Sequence, residues 1–115
     1  MNQDNLRAVM SSPFFAIYKE AFGEAHQAGV EYRKKFGEPM YCGFAWVVIT
    51  DGRSPFVNWC RKANIGHKNY GKGWQIWNPA DDMTQSMDIK ECEAQAFADV
   101  LRKHGIDCYA SSRPD

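Results

Sequence analysis

The sequence predicts an α/β domain whose small sheet has three strands, mostly parallel and packed by helices. Three observations lead there. Segments of helical and strand character alternate in the order helix, strand, helix, strand, helix, strand. Tyr41 to Thr50, YCGFAWVVIT, is apolar or glycine at nine of its ten positions. Such a run lacks the alternation of a half-exposed strand and reads as a central strand covered on both faces. Finally, the strands are joined by helical connections, which normally return a chain in the same direction.

Residues 1–11 read as a flexible or short helical arm, with Leu6, Val9 and Met10 able to dock on the domain. Ser12-Pro13 then supplies a capping oxygen and a proline at a position that needs no amide partner. Phe15, Tyr18, Phe22, Ala25, Gly29, Tyr32 and Phe36 follow at spacings of three and four and predict one apolar stripe on a helix ending near Gly37. The stripe narrows at Ala25 and Gly29, where another backbone approaches closely or the helix bends. Packing of this helix on the sheet is expected, with Arg33-Lys34-Lys35 as its solvated end.

Glu38-Pro39 breaks the chain before the central strand and Asp51-Gly52 ends it. Over 53–59 two readings compete, a hairpin strand after Asp-Gly and a short helix started by Ser54-Pro55. The recurrence of Phe56, Cys60 and Ala63 favours a helix from Pro55 to about Asn64. Gly66 to Gly73, GHKNYGKG, is a loop by composition, and Trp74 to Trp77 is a short strand whose alternation sends Trp74 and Ile76 one way and Gln75 and Trp77 the other. Ala80 to Met87 reads as an acidic loop in which Asp81-Asp82 forms a solvated turn. Asp88 and Glu91 suggest a capping box for a last helix over 88–104, stopped by Gly105. Ile106 to Ala110 is the final strand, and 111–115 a polar tail.

At 115 residues, 44% hydrophobic and 24% charged, the chain suits a single globular domain. No apolar run is long enough to span a bilayer, and residues 1–12 lack a signal-like core, so no membrane association and a cytoplasmic location are expected. Cys42, Cys60, Cys92 and Cys108 are too far apart in sequence for paired zinc ligands and read as reduced thiols, at least three of them inaccessible.

Net charge is zero but unevenly spread. Residues 52–80 hold Arg53, Arg61, Lys62, Lys68 and Lys72 and no acid, while 81–99 hold six acids against Lys90 alone. Within the basic run, glycines that can turn amides toward an anion stand beside flat rings. The candidate ligand-binding residues are therefore Arg61, His67, Lys68, Tyr70, Lys72, Trp74 and Trp77. The competing interpretation buries one tryptophan in the core and lays the other over the sheet edge. The loop is not a Walker loop, since no Gly-Lys-Ser/Thr closes it. No catalytic residue, metal site or cofactor is predicted: the histidines do not assemble with a nucleophile, and Glu91 and Glu93 point apart on a helix.

Two functions are in contention. One is a small non-enzymatic binding protein for a phosphate-bearing aromatic ligand, either a nucleotide or single-stranded nucleic acid. The other is a protein–protein or homodimeric module in which the positive 52–80 surface meets the negative 81–99 surface of a partner. An enzyme built on His67 or Cys42 finds little support.

Overall fold

The structure is a computed structural model and describes residues 2–115. Its elements are α1 (Gln3–Ser11), α2 (Pro13–Phe36), β1 (Gly43–Ile49), α3 (Pro55–Ala63), β2 (His67–Lys68), β3 (Trp74–Trp77), α4 (Met87–Lys103) and β4 (Cys108–Pro114). The strands form one four-stranded sheet in the order β2-β3-β1-β4, with every neighbouring pair antiparallel.

This corrects the predicted three-stranded, mostly parallel sheet. The helical connections do return the chain in the same direction, but to strands that are not neighbours. β1 and β2 run parallel with β3 folded back between them; β3 and β4 run parallel with β1 between them. The result is a split βαβ arrangement, β-α-β-β-α-β, preceded by two helices. The two-residue strand β2 lies inside what reads as a loop, and β4 continues to Pro114 through what reads as a tail.

The helix signals at Ser12-Pro13, Gly37, Ser54-Pro55 and Gly105 hold. Ser12 caps α2, its hydroxyl accepting from the Phe14 amide, and Gly37 ends it at φ 73°. Ser54 caps α3 by accepting from the Val57 amide, which decides residues 53–59 in favour of the helix. The last helix begins earlier than its acidic residues suggest: the cap is Ser86, not Asp88, and Gly105 follows the end at φ 80°. Gln3–Ser11 form a docked helix, tied down by the Trp59 indole, which donates to the Val9 carbonyl at 3.0 Å.

Only one face of the sheet carries the main core. Ala45, Val47, Ile49, Trp74, Ile76 and Cys108 join Phe56, Val57 and Trp59 of α3 and Phe97 and Leu101 of α4 in a single buried cluster. Phe44, Trp46, Val48 and Trp77 lie outside it, on the opposite face, so β1 is not sandwiched between two layers of helices. Nor does α2 spread over the sheet. It packs along α4, with Ala21, Ala25 and Gly29 buried in the contact.

At Gly29 that contact closes on the carboxyl group of Glu93, which occupies the space a β-carbon would need. Glu93 is 1% exposed, and its Oε1 has no hydrogen-bond partner among the described residues. Burial and the adjacent Asp82 push its pKa up to about 8. Asp82, in contrast, is no solvated turn residue. It takes both oxygens' worth of bonding from Arg33 at 2.9 Å and accepts the Thr84 amide at 3.0 Å. Although burial opposes it, hydrogen bonding with Glu93, the Thr84 amide and Arg33 holds Asp82 below its ordinary value. The protonated acid, the carboxylate and the guanidinium thus pin the segment between β3 and α4 against both long helices.

Candidate ligand-binding site

The basic residues of the 52–80 run come together because two turns meet at one end of the sheet. β1 ends at Ile49 and the chain turns through Asp51 to Arg53 into α3; β2 and β3 are joined by the 69–73 turn. The second turn is closed by the Asn69 amide donating to the Gly73 carbonyl at 2.9 Å, and by the Asn69 side-chain amide donating to the Lys72 carbonyl at 2.8 Å. Gly73, at φ 100°, lies against the Ile49 carbonyl with no room for a β-carbon. The two turns are therefore in backbone contact.

Between them is a cleft of about 470 Å³ lined by Asp51, Arg53, Arg61, Lys68, Lys72 and the turn glycines. None of its four cations makes an ion pair among the described residues. The Asp51 carboxylate is turned to its own loop, accepting the Arg53 amide at 2.9 Å. Arg61 lies over the Trp74 ring at 4.8 Å. That contact holds the guanidinium in place while leaving it charged. Such an arrangement can receive an anion without first breaking an internal salt bridge.

Of the seven candidate residues, Arg61, Lys68 and Lys72 line this cleft. Trp74 is buried beneath Arg61 and donates its indole N–H to the Ile65 carbonyl at 3.0 Å, so it supports the site without offering a ring face to a ligand. Tyr70 is fully exposed on the turn. His67, paired across the ladder with Gln75, is exposed on the opposite side of the sheet. Trp77 is also on that side, about 10 Å along β3 from Trp74. The alternation read from the sequence is correct, and it separates the two tryptophans that proximity in the chain had grouped.

Trp77 instead stacks on Trp46, with ring centroids 4.9 Å apart and planes inclined by 19°, and meets Phe44 edge-on at 5.7 Å. Lys90 and Arg113 each hold a cation 5.4 Å from the Phe44 ring. The sequence reading missed Arg53, although it lies in the acid-free run. It also missed Phe44, Trp46 and Arg113; the aromatic pair was hidden because it falls within an apparently all-buried strand. Among the described residues, no three His, Cys, Asp or Glu side chains are grouped so as to hold a metal ion.

No cysteine lines the cleft. All four are free; Cys60 and Cys108 are buried, while Cys42 and Cys92 are half-buried, so two thiols rather than three are inaccessible. Burial pushes the Cys60 thiol up to about 12 and the Cys108 thiol up to about 11.

No known protein family, curated protein or solved structure matches the chain. No helix among the described residues is long and apolar enough to cross a membrane.

Proposed function

We propose that this protein is a non-enzymatic binding module for single-stranded nucleic acid, with nucleotides as minimal ligands. The observation that carries the reading is the cleft where Arg53, Arg61, Lys68 and Lys72 converge unpaired. Phosphate contacts of this kind supply affinity that falls with salt, and the exposed Tyr70 ring on the adjoining turn is available for base stacking. The free thiols are consistent with a reducing, cytoplasmic setting for such a protein.

The alternative, a homodimer joining positive and negative surfaces, is less well supported because most of the acids of 81–99 are engaged internally. Glu93 is buried, Asp82 is bound by Arg33, Asp99 by Arg102, and Glu91 accepts from Ser112 at 2.7 Å.

Titration of a fluorescent oligothymidylate, and separately of ATP, tests the proposal at two salt concentrations. Lys68→Ala/Lys72→Ala should weaken oligonucleotide binding and flatten its log–log salt slope by about 1.4, two contacts' worth for a single strand. Absence of binding at about 100 μM protein in low salt, where even non-specific single-strand binding is measurable, would reject it.

A further inference from the structure

On the face of the sheet turned away from the helices, the Trp46–Trp77 stack ends beside a small residue of the edge strand β4. Cross-strand pairing sets Trp46 opposite Trp77 on β3 and opposite Ser111 on β4. The 4.9 Å separation of the two indoles matches the spacing of neighbouring strands, so their stack runs across the sheet rather than along it. One ring face of Trp46 is therefore covered by Trp77 and the other is directed toward β4. There the paired residue is Ser111, whose side chain is too small to cover an indole. Two residues to either side of Ser111, on the same face, are Tyr109, 46% exposed, and the exposed Arg113. None of the four strands contains an Asp or Glu.

We infer that this position over Ser111, between Tyr109 and Arg113, receives a nucleobase of the bound strand and extends the Trp77–Trp46 column by one ring. The inference rests on the nucleic-acid reading above and deepens it by assigning the base contact. A flat, electron-rich indole face with a guanidinium beside it matches a base attached to a phosphodiester. An apolar protein segment would leave Arg113 without an anionic counterpart. Trp46 lies three residues along β1 from the Ile49 end, or about 10 Å, on the face opposite Trp74 and Arg61, so a strand that also enters the basic cleft must pass around the end of the sheet at the 51–53 and 69–73 turns and span several nucleotides. His67 is exposed on this same face, on the edge strand β2 beside Lys68 of the cleft.

The test compares two fluorescent probes of equal length and charge, oligothymidylate and an abasic phosphodiester of the same number of units. Wild type should bind oligothymidylate about tenfold or more tightly than the abasic strand. Ser111→Tyr fills the position with a residue suited to a strand beside Trp46 and should leave the thermal melt intact. It should lower oligothymidylate affinity to the abasic level without changing abasic binding, whereas Lys68→Ala/Lys72→Ala lowers both. Tyr109→Ala, at an exposed site, provides a second variant and should lower only the base-dependent part. Tryptophan fluorescence should be quenched by oligothymidylate and not by the abasic strand.

Equal affinity for both probes in wild type, or a folded Ser111→Tyr protein with unchanged oligothymidylate affinity, would overturn the inference while leaving the cleft reading intact. Failure of both probes to bind would overturn both. A wild-type dimer in sedimentation that Ser111→Tyr converts to monomer would assign this face to a second copy and overturn the base-binding role.

Discussion

Glu93→Gln should make the protein more stable in alkali while leaving it almost unchanged in mild acid. In the folded chain the Glu93 carboxyl is enclosed by Gly29 of α2, faces Asp82 across from Arg33, and shares α4 with Lys90. Its pKa rises from 4.5 to about 8, with burial the largest cause. Between those values the folded state holds a proton that the unfolded state has released, so stability is fully present below about 4.5 and declines as pH rises toward 8. The slope approaches 1.4 kcal/mol per pH unit, and the full span sets an upper limit of about 5 kcal/mol, moderated by the nearby cations. Asp82 works in the opposite sense at lower pH: its depressed pKa contributes stability above its unfolded value that is lost as pH falls through the folded one. Glutamine remains neutral and can donate to Asp82 as the protonated acid does. Urea melts from pH 5 to 9 should therefore show Glu93→Gln within about 1 kcal/mol of wild type at pH 5 and ahead by a few kcal/mol at pH 8.5, with a flatter pH dependence. Parallel pH profiles for the two proteins would refute the reasoning, as would a variant less stable than wild type at pH 8.5.

Leu101, fully buried between α4 and the core, should cost about 2–5 kcal/mol when replaced by alanine; a loss under about 0.5 kcal/mol in denaturant melts would place it wrongly. Thiol titration of native protein should modify Cys42 and Cys92 before the buried Cys60 and Cys108, whose thiols are held protonated, and all four should react once the chain is unfolded. Gly66→Ala should destabilise by more than about 1 kcal/mol, because φ is 75° and a β-carbon would collide with the Gln75 carbonyl and the Trp74 indole nitrogen; an unchanged melting midpoint would contradict that packing.

Features of this protein specified over a few adjacent residues were legible in its sequence. Ser12-Pro13 and Gly37 bound α2, Ser54-Pro55 starts α3, and the alternation of β3 places Trp74 and Trp77 on opposite faces. Those signals depend on capping bonds and side-chain period, which act within a turn or two. The choice of neighbouring strands came from tertiary structure alone: a two-residue strand carries almost no pattern, yet β2 completes the hairpin that inserts β3 beside β1. Exposure on β1 was equally hidden. Phe44 and Trp46 are apolar whichever way they face, and packing against Trp77 lets them occupy the sheet's helix-free side without the polar alternation that normally marks it. The basic run was visible as a string of charges, but only the backbone contact between the 51–53 and 69–73 turns gathered Arg53, Arg61, Lys68 and Lys72 around one cleft. Linear order records which groups the chain carries; long-range strand pairing decides which of them meet, because each pairing depends on residues tens of positions apart whose mutual fit no local spacing encodes.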